Sequence, residues 1–208
     1  QGVKDYTSKW NVAISGSDDA LCNTENATRN IAIGYNSLRQ LKTGTRNVAV
    51  GTFSMANLIH GDRNVAIGSD SLWFANHAED CTAIGKNCMG SMNLALVYKK
   101  CVAVGNNTLA NVKNDCTNVI AIGYRAMAGT EEVGDSVALG NEAGNYAKTQ
   151  CVAIGQRAGY YQKGDQNTCI GAETYRLYVD GSRQTIIGAN AKPSQYDASL
   201  SANNIKTM

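Results

Sequence analysis

Two histidines are the side chains that could act as general bases near neutral pH. His60 and His77 occupy equivalent places in successive copies of a sequence repeat, so the fold is expected to bring them close together. Ser69, Asp70 and Ser71 lie nearby in sequence, but the repeat supplies serine at this place in many copies. Hydrolysis needs a nucleophile, a base and a group that orients the base. The sequence shows little of that geometry, and we predict no catalytic residue and no enzyme activity.

Adjacent carboxylates occur at Asp18–Asp19 and at Glu131–Glu132. Adjacent residues of a strand point to opposite faces, whereas the two carboxylates of a glycosidase flank one bond. We therefore interpret both pairs as solvated turn charges. The sequence has no Asp-rich calcium loop, no Cys-x-x-Cys zinc pair and no glycine-rich nucleotide loop. We predict no metal and no cofactor.

The seven cysteines are an odd number, which does not fit a closed disulfide framework. Cys81 and Cys101 fall on consecutive repeats, where their Cα atoms are expected about 4.8 Å apart, a separation that a disulfide accepts. Stacked parallel side chains rarely present the dihedral angle that the bond needs. We predict reduced, half-buried thiols, which favour synthesis in a reducing compartment.

Three arginines share one repeat position on consecutive copies. Arg29, Arg46 and Arg63 would form a short basic stripe that could meet phosphate or acidic sugars. The alternative is a solvated corner at which these side chains pair with Asp62 and Asp80, because exposed charges are common and weakly coupled.

Aromatic residues are few and lie mainly in the predicted loops. Their rings can stack on sugars at little entropic cost, or they can cap the interior of the fold at its turns. Tyr98 lies in the longest interval between repeats, where residues 91–100 are expected to form a protruding loop. The predicted ligand-binding residues are Arg46, Arg63, Trp73, Phe74, Tyr98, Tyr146, Tyr160, Tyr161 and Tyr178.

The elements that must position these side chains come from an internal repeat, Asn-Val-Ala-Ile-Gly. Its glycines are about 17 residues apart, and a degenerate first copy, Asn11–Ser15, has serine in the glycine position. Large side chains, mostly branched, stand one and three residues before the glycine, and alanine usually stands between them. This period of two predicts a strand. The repeat glycines are Gly34, Gly51, Gly68, Gly85, Gly105, Gly123, Gly140, Gly155, Gly171 and Gly188.

One repeat cannot bury its own apolar face, so the copies are predicted to stack as coils of a solenoid. We expect the branched side chains to fill the interior and the alanines to form an apolar strip outside; the reverse orientation is the alternative. Either way one strand is buried on both sides, which favours self-association. A second strand is expected just after each glycine, and asparagines four residues before it are expected to stack as a ladder. Return turns are predicted at Gly44, Gly61, Gly164 and Gly181.

The predicted fold is all-β: a parallel β-roll or β-solenoid of about ten 17-residue coils, in an intertwined or side-by-side homotrimer. Residues 1–29 are interpreted as an N-terminal lead-in with the degenerate first repeat, residues 30–192 as the β-roll repeat domain, and residues 193–208 as a C-terminal neck or tail. Because the chain starts at Gln1, we interpret it as a fragment or a processed product.

The run Asn-x-Ala-Ile-Gly-x-x-Ser/Ala resembles the repeats of trimeric autotransporter adhesin heads and is similar to repeats of phage tail-fibre and tailspike segments. The resemblance covers about residues 11–192. It implies a left-handed parallel β-roll, three chains in one fibre and attachment to a cell surface. It also implies a C-terminal intramolecular chaperone, removed or absent in this chain. The repeat is longer than in adhesin heads, and seven cysteines fit a fibre assembled in the cytoplasm better than an exported adhesin.

The composition of the chain argues against two classes of binding partner, nucleic acids and membranes. A net charge of +2 does not favour nucleic acid or a membrane surface, and no apolar run approaches the roughly 20 residues of a membrane span. The predicted function is receptor binding by a virion tail fibre or tailspike, assembled in the host cytoplasm, with a bacterial glycan or outer-membrane receptor as partner. The alternatives are a bacterial cell-surface trimeric adhesin and a structural fibre spacer without its own ligand site.

Overall fold

The computed structural model describes residues 2–6, 10–16, 19–91, 96–131, 133–161, 164–175, 181–191 and 205–207. Within these ranges the chain forms short strands joined by turns and no helix, so no described helix could cross a membrane. The strands in chain order are β1 (Gly2–Tyr6), β2 (Asn11–Ser15), β3 (Asn26–Thr28), β4 (Ile31–Ile33), β5 (Thr43–Thr45), β6 (Val48–Val50), β7 (His60–Asp62), β8 (Val65–Ile67), β9 (His77–Glu79), β10 (Thr82–Ile84), β11 (Val97–Lys99), β12 (Val102–Val104), β13 (Cys116–Ile122), β14 (Val133–Leu139), β15 (Val152–Ile154), β16 (Thr168–Ile170), β17 (Thr185–Ile187) and β18 (Ile205–Thr207).

Repeat strands from successive coils stack in parallel and in register. Strands β2, β4, β6, β8, β10 and β12 form one column, in which Ala32, Ala49 and Ala66 lie side by side. Strands β3, β5, β7, β9 and β11 form a second column, and both columns continue through the longer strands β13 and β14. Strand β1 runs antiparallel to β2. The predicted all-β solenoid of about ten coils is confirmed.

The repeat alanines point into the solenoid, and the large side chains beside them point outward. Ala49 has no exposed surface, whereas Ile67 and Ile120 are each 41% exposed. The expectation that branched side chains fill the interior is therefore wrong, and the alternative orientation is confirmed. The interior already holds a column of large side chains four residues after the repeat glycines, such as Met55 and Leu72, and alanine leaves the room that they need.

Each coil bends at its repeat glycine. Gly51 has a φ of 135°, and a Cβ atom there would lie 2.5 Å from the carbonyl oxygen of Gly68 in the next coil. Glycine is required because an L side chain fits neither the angle nor the space. Met55 and Leu72 also adopt left-handed backbone angles, each with a φ of 51°. Burying such a side chain contributes about 1.5–3 kcal/mol, which offsets the roughly 1–2 kcal/mol cost of its conformation.

Where a coil has a second strand among the described residues, that strand precedes the repeat strand, and turns follow the glycine. The prediction of a strand just after the glycine is therefore wrong. Gly44 and Gly61 lie at the centres of β5 and β7, so they do not form the predicted return turns. In β7 the absence of a side chain at Gly61 makes room for Leu58, because a Cβ atom would lie 2.5 Å from Leu58 Cδ2. Gly164 and Gly181 lie outside the strands.

An asparagine ladder crosses the first coils, as the sequence predicts. The Nδ2 atoms of Asn30, Asn47 and Asn64 each donate to Oδ1 of the preceding asparagine, at 3.2, 2.9 and 2.9 Å, beginning at Asn11. The ladder ends at Cys81, whose backbone N–H donates to Asn64 Oδ1 at 3.0 Å. These amides are buried, so their bonds satisfy groups that would be costly to leave unpaired.

Candidate binding surfaces

An apolar surface, here called the outer face, runs along one side of the stack. It contains the side chains one and three residues before each glycine position, and none of them is charged. Contiguous apolar surfaces of this kind mark contacts with other molecules. Its members are Val12, Ile14, Ile31, Ile33, Val48, Val50, Val65, Ile67, Thr82, Ile84, Val102, Val104, Ile120, Ile122, Val137, Leu139, Val152, Ile154, Thr168, Ile170, Thr185 and Ile187.

A first aromatic row lies on the segments that follow three successive repeat glycines. The Tyr35 and Phe53 rings meet edge to face with centroids 5.5 Å apart, and Phe53 stacks on Trp73 at 5.3 Å. Phe74 lies against Trp73 at 4.2 Å. The structure thus joins Trp73 and Phe74, which the sequence analysis singled out, to Tyr35 and Phe53, which it missed. All four rings keep part of their surface exposed.

A second aromatic row contains three predicted site residues. Tyr146 stacks on Tyr161 with centroids 5.5 Å apart, and Tyr160 meets both rings edge to face. Burial raises the pKa of the Tyr160 hydroxyl, which keeps it neutral over the physiological range. Tyr146 and Tyr161 are exposed at 45% and 40%. Aromatic pairs in these geometries are favourable, so the three rings hold one another in place at the surface.

The prediction that Tyr98 contacts a surface ligand is wrong. Tyr98 lies in strand β11, and its side chain is fully buried. Residues Leu96 and Ser91 of the same interval are also buried, and residues 92–95 lie outside the described part of the chain. The added residues therefore do not place Tyr98 on a protruding loop. Tyr178 also lies outside the described residues.

The arginines of the predicted basic stripe differ in whether they form ion pairs. Arg63 pairs with Asp80 and with Glu79 of the next coil, so part of the alternative, a charge-paired corner, is confirmed. Asp62 forms no ion pair with a described arginine. Its carboxylate accepts hydrogen bonds from the hydroxyl and the backbone nitrogen of Thr45, the latter at 2.7 Å. Arg46 is exposed and forms no ion pair with a described residue.

His60 and His77 lie side by side in β7 and β9, as predicted. Nδ1 of His60 is 2.7 Å from the hydroxyl oxygen of Thr43, so the ring is held along the column of strands. The nearby Ser69 hydroxyl donates to Asp70 at 2.8 Å rather than to a histidine.

Buried thiols form a cluster inside the solenoid. Cys101 Sγ lies 3.4 Å from Cys116 Sγ, and a thiol hydrogen bond with Cys101 raises the pKa of Cys81. Burial raises the pKa of Cys88 to about 12, so these groups remain protonated. All seven cysteines are free, as predicted, although six are fully buried rather than half-buried. Among the described residues no group of three or more His, Cys, Asp or Glu is placed to hold a metal ion.

A groove of about 240 Å³, missed by the sequence analysis, crosses three coils beside the second aromatic row. Its polar and aromatic lining is Asn107, Asn111, Tyr124, Arg125 and Tyr146, and Ala110, Ala128 and Gly129 contribute the rest. Tyr124 directly follows a repeat glycine, as Tyr35 does. Comparing copies at this repeat position would have found both tyrosines from the sequence.

The chain matches no protein-family model, no curated protein and no solved structure.

Proposed function

We propose that this chain is the attachment segment of a homotrimeric fibre that binds glycans on a bacterial cell surface. The observation that carries the proposal is the outer face, which repeats an uncharged pair of side chains on eleven coils, apolar on eight of them and with one threonine on the other three. The outer face is eleven strands long, with about 4.8 Å between neighbouring strands, and three residues wide, with about 3.3 Å per residue. Its area is therefore roughly 500 Å². The largest apolar patches on monomers reach about 300–600 Å². The outer face is as large as the largest apolar patches of monomers, which are often functional, so it favours a contact with another molecule.

A second copy of the chain is the partner that fits this face best. Its side chains recur with the spacing of stacked strands, and a copy carries the same side chains with the same spacing. Three copies around one axis close the assembly without leaving an apolar face open, whereas a contact whose rotation does not close would continue as a filament. The trimer presents each aromatic row three times at fixed spacing, so weak sites combine into firm attachment.

The two aromatic rows supply the ligand contacts. Exposed rings held by their neighbours give a large contact area at low entropic cost, which suits the apolar faces of sugars. We place the fibre in a phage tail, assembled in the host cytoplasm, because six buried thiols suit a reducing compartment.

Sedimentation equilibrium under reducing conditions tests the assembly, with Ile120→Glu and Thr117→Glu as a matched pair. Both residues are exposed on strand β13, but Ile120 belongs to the outer face and Thr117 does not. We expect a mass near three times 22.1 kDa for the wild type and for Thr117→Glu, and monomers for Ile120→Glu. A monomeric wild type contradicts the proposal.

Binding to whole bacterial cells and to glycan arrays tests attachment. We expect Trp73→Ala, in the first aromatic row, to weaken binding while the trimer persists. A stable trimer that binds neither cells nor glycans would contradict attachment and leave the chain as a fibre spacer.

A further inference from the structure

The groove beside the second aromatic row has the size of a single sugar ring. Its volume of about 240 Å³ lies below the about 300–1,000 Å³ of sites for drug-sized ligands. It also crosses three coils, so it is continuous with the surface on which a longer chain of sugars would lie.

Two tyrosines border the groove. Tyr124 is 48% exposed and Tyr146 is 45% exposed. Tyr146 packs on Gly129, where a Cβ atom would lie 2.8 Å from Cε1 of the ring. The absence of a side chain at residue 129 therefore makes room for the Tyr146 ring and holds it in place before a ligand arrives, which reduces the entropic cost of binding.

Arg125 gives the groove a positive charge. It is the first member of a column in which charge alternates over four coils, continuing with Glu142, Arg157 and Glu173. Glu142 is 2.6 Å from Nε of Arg157, so its carboxylate is directed along the column away from Arg125. Arg125 forms no ion pair with a described residue and is only half-exposed. A half-exposed guanidinium without an ion-pair partner favours a planar carboxylate as ligand, because it can bind the carboxylate through two hydrogen bonds.

Two asparagines add neutral hydrogen-bonding groups. Asn107 Oδ1 accepts from Asn87 Nδ2 at 2.9 Å, which fixes the amide and directs its own N–H groups elsewhere. Asn111 is exposed at the rim. Amide donors and acceptors beside aromatic rings match the hydroxyl groups and the C–H face of a sugar.

We propose that this groove binds one sugar residue that carries a carboxylate, with Arg125 on the carboxylate and Tyr124 and Tyr146 beside the ring. The inference rests on the proposed glycan attachment and names the class of sugar that it recognises. Because the groove depends on one chain's three coils, each chain of the assembly would carry its own site.

The test uses the full chain in its own oligomeric state. Binding is measured by surface plasmon resonance to oligosaccharides that end in glucuronic acid or in glucose and are otherwise identical. We expect tighter binding to the acid. Arg125→Gln should reduce binding to the acid by about tenfold or more, the factor expected for a lost charge-assisted hydrogen bond, and should leave binding to the neutral sugar unchanged. Tyr146→Ala should weaken binding to both sugars.

Arg39→Gln is the matched control, since Arg39 is exposed on another coil and does not line the groove. Circular dichroism should show that each variant keeps the wild-type melting temperature. Equal binding of the two sugars by the wild type, or an unchanged acid preference in Arg125→Gln, would overturn this inference. If cells or neutral glycans still bind through Trp73 in that case, the proposed attachment stands; if nothing binds, both fail.

Discussion

Arg63 Nε donates to Asp80 Oδ1 at 2.5 Å and so joins two coils across 17 residues of sequence. This hydrogen bond holds the pKa of Asp80 below its usual range. A carboxyl group whose pKa is lower in the folded chain adds stability above its unfolded pKa, about 3.9, and loses that contribution as the pH falls through the folded-state value. The pair is about 40% exposed, so salt should weaken it.

We therefore expect Asp80→Asn to lower the melting temperature slightly near neutral pH. The difference from wild type should shrink as the pH falls below about 3.9, the usual pKa of an aspartate, and should vanish once Asp80 is protonated in the folded chain. Thermal unfolding followed by circular dichroism over this pH range measures the effect. Asp19→Asn serves as the control, because Asp19 has no ion pair within the described chain. A difference that persists unchanged in acid would show that Asp80 acts through something other than its charge.

Gly51→Ala should be among the most damaging small substitutions in the chain. The new Cβ would meet the Gly68 carbonyl oxygen at 2.5 Å, at a φ that L residues avoid. We expect the free energy of unfolding to fall by about 3 kcal/mol or more, measured by urea denaturation. Gly134→Ala is the matched control, since its nearest neighbour would be 3.7 Å away. A similar fall in the free energy of unfolding in both variants would contradict the explanation that a Cβ at residue 51 clashes with the next coil.

The period of the sequence was enough to predict which residues stack on one another. Parallel strands in register place equivalent residues side by side, which is why the Asn30–Asn47 ladder and the His60–His77 pair were found correctly. The same reasoning could not decide which side of the strand faces inward. That choice depends on the space taken by residues across the interior, such as Leu72, which no local pattern reports.

The groove could not be predicted for a related reason. It depends on the packing of the Tyr146 ring over Gly129 and on the direction in which the Glu142 carboxylate pairs. Residue type alone gives neither of these contacts. The burial of Tyr98 was also missed, because a longer interval between glycines was taken to mean a protruding loop, whereas part of it forms strand β11 and fills the interior.

Thiol reactivity should separate one cysteine from the others. Cys22 is exposed and the other six are buried. Burial raises the pKa of Cys88 and of Cys169 to about 12, and the thiolate is the reactive form. We expect Ellman's reagent at about pH 8 to modify one thiol in each folded chain and all seven after unfolding. In Cys22→Ser the folded chain should not react, and fast reaction of further thiols would contradict the buried cluster.

Replacing Asn145 by an apolar residue should raise the free energy of unfolding. Its side chain is fully buried, yet neither of its amide atoms has a hydrogen-bond partner among the described residues. Removing an unsatisfied buried amide avoids a cost of about 1–3 kcal/mol. We expect Asn145→Leu, which is similar in volume, to raise the free energy of unfolding by about 1 kcal/mol in urea denaturation.

Asn167→Leu is the opposing control. Asn167 is equally buried, but Nδ2 donates to the Gly181 carbonyl oxygen at 2.6 Å and Oδ1 accepts from the Gln184 backbone at 2.8 Å. Its replacement leaves those groups without partners, so the free energy of unfolding should fall by about 2 kcal/mol or more. Opposite signs for the two variants would show that hydrogen bonding, rather than the volume of the side chain, decides the stability of these buried positions. Equal losses would mean that the Asn145 amide is satisfied in solution.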